Sequence, residues 1–291
     1  MTTPRVLSPT RTIVLVHGLW MTPLCWEHWV ERYQRRGFRV LAPAWPGMDA
    51  PVDQLRRDPA PIASQRVATI LDHYEGIIRG LEQPPIIMGH SFGAAFVQVL
   101  LDRGLGAAGV AIHSATIRGV LDLPLTTLRS GLPLLRNPLN RHRAIGLTPG
   151  QFRYAFTNTL TPEASLRAYE RYHVPGARNV LLEGASANVN PRTALQVDFS
   201  RGDRAPLLFI AGGSDHVVPA ASNRSNVGRY RASRAMTDYR EYPGRSHFTL
   251  GQDGWEAVAD DALDWAVERV GQAAGRHAPA TGADPATVAA D

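Results

Sequence analysis

Short, unbroken apolar runs separated by longer segments of helical period constrain this chain more than any other feature of its sequence. Thr12–Val16 reads as a buried strand ending at His17-Gly18, and Phe38–Leu41 as a second. Pro85–Met88, Val110–Ile112, Leu207–Ile210 and Met236–Tyr242 follow. Ser64 is expected to N-cap a helix in which Val67, Ile70, Leu71, Tyr74, Ile77, Ile78 and Leu81 recur at three- and four-residue spacing, with Gly80 near its end. Another helix spans about Gly93 to Arg103. A last one begins near Gly254, where Trp255, Val258, Ala262 and Trp265 share a face. Strands without polar alternation, separated by helices, are covered on both faces. The pattern therefore predicts an α/β fold on a mostly parallel sheet of about six strands.

Between the fourth and fifth of these runs the rhythm breaks. Residues 115–204 are helical in pattern. Thr148-Pro149-Gly150-Gln151 carries an N-cap threonine, proline at the first helical position and glutamine at the third, a capping box. Thr161-Pro162 repeats the first two signals ahead of Leu166, Tyr169 and Tyr172. The expected organisation is a core in two parts, 1–114 and 205–270, interrupted by a helical cap at 115–204. A tail at 271–291, rich in alanine, glycine, proline and threonine, is expected to be disordered. A chain of 291 residues suits one large domain with such an insertion.

The composition narrows the classes of function. No apolar run approaches the roughly 20 residues of a membrane span. The first eleven residues are polar and lack the apolar stretch of a secretory signal, so a cytoplasmic location is expected and no membrane partner. Cys25 is the sole cysteine, which excludes an intrachain disulfide, an iron–sulfur cluster and a cysteine-rich zinc site. The net charge of +5 comes from 31 basic residues, all arginine. They are dispersed, and the densest cluster, Arg136, Arg141 and Arg143, is too sparse to track phosphates, so no nucleic-acid partner is expected.

Gly89-His90-Ser91-Phe92-Gly93 matches G-x-S-x-G, and its context gives it weight: a strand precedes it and a small-residue helix follows. A nucleophile at a tight strand-to-helix turn adopts strained backbone angles and needs small neighbours two residues to either side. Gly89 and Gly93 meet that need. Ser91 Oγ would then stand above the sheet edge beside a helix N-terminus, which favours negative charge.

A serine hydroxyl needs a base to take its proton. In this strand–turn–helix arrangement the acid and the base follow the serine in the order Ser, Asp, His. His113, His142, His173, His216, His247 and His277 all follow Ser91. His277 falls in the expected tail, and His142 and His173 in the insertion. His247, in the loop directly beyond the last strand, is the expected base, and His216 is expected to be structural. The acid is expected from the loop after Leu207–Ile210, where Asp215 stands; Asp198, Asp203 and Asp238 end no buried strand. Asp215 would accept a hydrogen bond from His247 Nδ1–H and hold the tautomer. Two backbone N–H groups must hold the oxyanion: Phe92, after the nucleophile, and Leu19, where Gly18 lets the chain turn after the first strand. His17 and His90 read as structural or pocket-wall residues.

Taken together, His17-Gly18, the Gly89–Gly93 turn, the Asp215 loop and Ser246-His247-Phe248 resemble the α/β-hydrolase superfamily over about Thr12 to Val270, with the insertion matching that family's variable cap. The resemblance implies Ser91 as nucleophile, His247 as base, Asp215 as acid, and Leu19 and Phe92 as the anion-site amides. Only some ten residues precede the first strand, so the family's N-terminal antiparallel strands are expected to be reduced, and Gly93-Ala94 stands where many relatives carry two glycines.

Relatives that cleave haloalkanes or epoxides carry aspartate at the turn, and Ser91 argues against both. The expected activity is hydrolysis of a carboxylic ester, thioester or lactone through an acyl-enzyme, with a small-molecule substrate and no metal or organic cofactor. Trp20, Phe152 and Phe156 are candidate walls of an apolar pocket, with Tyr154, Tyr169, Tyr172, Leu132, Leu134 and Leu135 enriching the same insertion. Arg118, Arg129, Arg136, Arg141 and Arg143 are candidates for an anion-binding rim. Two other readings of the frame stay open: a lyase or cofactor-independent oxygenase that uses the base on the substrate directly, and a ligand-sensing protein. Oligomeric state is not encoded in these motifs.

Overall fold

Each apolar run is too short to bury itself and is covered by the amphipathic segment that follows it. The computed structural model, which describes residues 10–121 and 144–276, joins the six expected strands into one sheet, with half-exposed, partly polar strands at its two edges. The strands are β1 (Thr12–Val16), β2 (Arg39–Leu41), β3 (Ile86–His90), β4 (Ala108–Ile112), β7 (Leu207–Gly212) and β8 (Thr237–Tyr242). Their spatial order is β2-β1-β3-β4-β7-β8, and every pairing is parallel. β3, β4 and β7 are buried along their whole length, which their lack of polar alternation requires.

Chain order reverses between β1 and β3, where Val16 lies opposite Gly89. At such a switch the loops leaving two neighbouring strands diverge and open a crevice at their carboxyl ends. Here those loops begin at His17-Gly18 and at Ser91.

The helices that clothe the sheet are α1 (Glu27–Arg35), α2 (Val52–Arg57), α3 (Ala60–Ala63), α4 (Val67–Arg79), α5 (Phe92–Asp102), α9 (Ala220–Arg229) and α10 (Trp255–Arg276). α4 buries Val67, Ile70, Leu71, Tyr74 and Ile78, the face expected from the spacing. Its start differs from expectation. Ser64 ends the short α3, and its hydroxyl donates to the Pro61 carbonyl. The first turn of α4 is served instead by Glu183, whose carboxylate accepts the Val67 N–H at 2.8 Å and pairs with Arg66. A partner 116 residues away caps the helix. Glu183→Ala is expected to cost about 1 kcal/mol by removing that acceptor. A urea midpoint equal to the parent's would show that water caps the turn just as well.

Between β4 and β7, the described residues form a two-stranded antiparallel pair, β5 (Ala144–Ile145) with β6 (Gly176–Ala177), and three helices: α6 (Pro149–Ala155), α7 (Pro162–Tyr172) and α8 (Arg178–Ala185). Thr148 and Gln151 form the capping box, and Thr161 accepts from the Ala164 N–H. The Trp20 indole fastens this segment to the loop after β1 by donating to the Ile145 carbonyl at 2.9 Å, while Val174 N–H donates to the Trp20 carbonyl. The last helix continues to Arg276, six residues past the point where a tail was expected to begin. Residues 277–291, and with them His277, lie outside the described residues. So do His142, Leu132, Leu134, Leu135, Arg129, Arg136, Arg141 and Arg143. Arg118 donates to the Pro191 carbonyl and Gln196, both within the chain.

Candidate active site

The turn after β3 is strained at Ser91, the candidate nucleophile. Ser91 adopts φ +60, a conformation non-glycine residues rarely hold. Two contacts show why its neighbours are glycines. A Cβ on Gly89 would lie 2.2 Å from the Gly93 carbonyl oxygen, and one on Gly93 would lie 2.1 Å from that of Val16. The strain is braced from β4: Ser91 N–H donates to the Ile112 carbonyl and Ser91 C=O accepts the Ala115 N–H, both at 3.0 Å. Ser91 is thus held on both sides by the end of the next strand and the loop that follows it.

Gly18 has a different role from the sharp turn expected of it. A Cβ there would come within 2.8 Å of the Ser91 Cβ and 2.9 Å of the His90 carbonyl oxygen. It lets the loop after β1 lie directly against the serine, and the following residues sit at the turn's mouth. Trp20 is itself at φ +66. Neither the Leu19 nor the Phe92 N–H donates to a loop or turn carbonyl among the described residues.

His247 and Asp215 come together from loops after neighbouring strands. β7 delivers Asp215 and β8 delivers His247, whose Nδ1 lies 2.7 Å from Asp215 Oδ2. Both side chains are fully buried. The loop that carries His247 is tied down at its base: Arg245 donates to the carbonyls of Gln252, Asp253 and Gly254, and Ser246 donates to Gln252 Oε1. His90, next to the serine, donates from Nε2 to the His247 carbonyl at 2.8 Å and packs its ring 4.7 Å from that of His247. His247 Nε2 is buried without a hydrogen-bond partner.

Asp215 is saturated. Oδ1 accepts the N–H groups of Val217 and Val218, and Oδ2 accepts from His247 and, also at 2.7 Å, from His113 Nδ1. Burial alone would raise this carboxyl's pKa, but His247 and His113 overcome it and hold it below the usual carboxylate range. Four donors fill the lone-pair sites of a carboxylate, so it is both charged and fixed in orientation. The second histidine is the residue sequence reasoning left without a role. His113 directly follows β4, the same position at a strand's carboxyl end that singled out Asp215 and His247.

The rival acids are spoken for elsewhere. Asp238 accepts from the Trp265 indole, Asp198 holds Ser200, and Asp203 pairs with Arg201. His216 contacts the Tyr154 carbonyl and Asn158. The three aromatic candidates form a chain: Phe152 stacks on Phe156 at 4.9 Å, and Phe156 meets the edges of both Trp20 and His247. Phe156 touches the imidazole; Phe152 lies behind it among Tyr169 and His173. A surface groove of about 440 Å³ lined by Leu24, Val52, Arg56, Glu170 and Arg171 contains none of these residues.

His17 braces the loop after β1 from below. Its Nε2 accepts the Trp45 N–H at 3.1 Å, the ring stacks on that indole, and burial pushes its pKa down to about 4. His173, accepting the Leu147 N–H, is pushed down to about 3 by burial. Both are neutral when folded and take up protons more readily when unfolded, so stability falls as pH drops from about 6.5 towards 4. His17 alone accounts for about 2–3 kcal/mol of loss by about pH 4.5. A urea midpoint that stayed level or rose between pH 6.5 and 4.5 would contradict this.

A parallel sheet with a strained glycine-flanked serine at its switch point, and a His–Asp pair from the loops after two later strands, defines the class. The alpha/beta hydrolase family model matches residues 13–262, and the chain belongs to that family. Among solved structures, it is similar to a monoacylglycerol lipase of Paleococcus ferrophilus, with 21% identity over 90% of this chain and 96% of that one and a TM-score of 0.62. It is also similar to a pyrethroid hydrolase from Sphingobium faniae JZ-2, with 18% identity, 88% and 97% coverage and a TM-score of 0.63. Tomato methylketone synthase I, solved as a variant complexed with beta-ketoheptanoate, shares 14% identity over 89% and 99% at a TM-score of 0.61. No curated protein matches the sequence.

Proposed function

We propose that the protein is a serine hydrolase that cleaves a carboxylic ester of a small to medium, apolar or aromatic substrate. One observation carries this reading: the His247 imidazole is oriented by a charged, saturated carboxylate through Nδ1, while its buried Nε2 is unpaired, with no hydrogen bond to Ser91 Oγ, and its backbone carbonyl is held by His90, the residue before the strained Ser91. That is the tautomer a base needs, with its lone pair on the side away from the acid.

The steps follow from the chemistry of each group. Ser91 Oγ attacks the ester carbonyl carbon while His247 Nε2 takes its proton. The oxyanion is held by the N–H groups of Leu19 and Phe92, neither of which donates to a loop carbonyl among the described residues. Asp215 stabilises the imidazolium. Collapse expels the alcohol, which takes the proton from His247, and leaves an acyl-Ser91. Water then repeats the sequence and releases the acid. The described part of the insertion, 144–204, acts as a cap over the sheet's carboxyl edge. Phe156 and Trp20 supply apolar wall at the imidazole, and Phe152 supports Phe156.

Labelling with a fluorophosphonate followed by peptide mass spectrometry tests the assignment. The expected adduct is on Ser91, with parallel loss of hydrolysis across a panel of p-nitrophenyl esters of increasing acyl length. Full labelling elsewhere with Ser91 unmodified would refute it. Turnover of a substrate without any acyl-enzyme would assign His247 to proton abstraction instead.

A further inference from the structure

His113 stands in a position that is costly to maintain. Among the described residues it is one of three non-glycine residues with positive φ, at +50, and the other two are Ser91 and Trp20. Its side chain is wholly buried. Its Nε2 has no hydrogen-bond partner. Room for its ring is made by Gly212, where a Cβ would fall 2.4 Å from His113 Cε1. A strained backbone and an orphaned nitrogen at the same residue point to a use for the ring, because packing alone would be better met by an apolar side chain. The part of the ring that has a partner is Nδ1, on the oxygen of Asp215 that also serves His247.

We infer that His113 is a positioning residue which, by donating to the carboxylate oxygen shared with His247, locks Asp215 and moderates the basicity of the catalytic imidazole. This rests on the serine-hydrolase reading above. The carboxylate holds a fixed amount of negative charge. A second N–H on the same oxygen draws on that charge, so less of it stabilises an imidazolium at His247. Among the described residues, the charged and titratable groups facing this pair are His90 from the end of β3, His113 from the end of β4 and Arg245 from the loop before His247, while His216, next to Asp215 in the chain, meets the Tyr154 carbonyl and Asn158. Burial, foremost, lowers the pKa of His113, so the second imidazole stays neutral and keeps the role of donor.

Two substitutions at this position separate the idea from a merely structural role. His113→Asn keeps an N–H near the Nδ1 site and tolerates positive φ, whereas His113→Ala removes the donor. For hydrolysis of p-nitrophenyl acetate, His113→Ala is expected to move the acid limb of kcat/KM upward by about one pH unit. It should also lower kcat about tenfold at unchanged KM, the scale of one hydrogen bond to a charged group. His113→Asn is expected to restore the wild-type limb. A folded alanine variant with an unmoved limb, or an asparagine variant that behaves like it, overturns the proposal. Proton NMR of the unmodified protein reads the same arrangement without activity and without relying on a variant that folds. Two slowly exchanging, strongly downfield ring N–H signals are expected, and a single signal overturns the shared carboxylate. If Ser91→Ala retained full turnover while both signals were present, the hydrolase reading would fail and the shared carboxylate would stand.

Discussion

Ser91→Ala is expected to lower kcat for an activated aryl ester by about a millionfold, and His247→Ala by a similar factor, because the nucleophile and its base act as one unit. The double variant should be little worse than either single one. Once either group is gone, the proton transfer that the other serves does not occur, and what remains comes from binding and from the oxyanion donors. The fold should survive both changes. Ser91 is braced through its backbone, by the Ile112 carbonyl and the Ala115 N–H, and alanine keeps both bonds while relinquishing only Oγ. Near-normal ester hydrolysis by Ser91→Ala would remove the nucleophile from the argument. A double variant worse than the singles by the product of their losses would show that two independent routes operate.

Asp215→Asn should be almost as damaging, with kcat down about ten-thousandfold. The reason is specific to this site. Four donors converge on the carboxylate, two backbone N–H groups on Oδ1 and two imidazole N–H groups on Oδ2. An amide offers one oxygen and one NH2. If its oxygen faces Val217 and Val218, the NH2 meets His113 and His247, and each ring must flip its tautomer to accept. His247 would then carry its proton on Nε2, where the base must be bare. If the amide turns round, its NH2 opposes the two backbone donors, which cannot adapt. Severe loss of activity with a preserved fold is therefore expected, and Asp238→Asn should leave activity unchanged, since that carboxylate serves the Trp265 indole. A large loss in Asp238→Asn with a mild effect in Asp215→Asn would show that the acid is elsewhere.

Much of the frame was legible in the residues alone. The four inner strands β1, β3, β4 and β7 lie where the apolar runs are, because a strand buried on both faces must be apolar throughout, and that signature is local; the half-exposed edge strands β2 and β8 carry polar residues and gave a weaker one. Gly89 and Gly93 were legible for the same kind of reason: a tight strand-to-helix turn leaves no room two residues away, and the contact distances of 2.2 and 2.1 Å bear this out. The caps at Thr148 and Thr161 are satisfied within three residues and read correctly. Ser64 misled because a serine before an apolar period is a sound local signal, yet α4 takes its cap from Glu183, far along the chain.

What the sequence determined by itself is thus the set of features whose physics closes within a few residues: strand length and burial, helix period, the small residues around the serine, and the order in which the chemistry-bearing loops leave the sheet. Tertiary structure decided everything that depends on strand order in space. The placement of β4 beside β7 brings His113 to an acid 102 residues later. Parallel pairing of β1 with β3 presses Gly18 against Ser91, and the segment between β4 and β7 sets Phe156 on His247. A hydrogen bond or ring contact of this kind leaves no periodicity behind, because it is selected by where two strand ends meet and not by the spacing of residues along the chain.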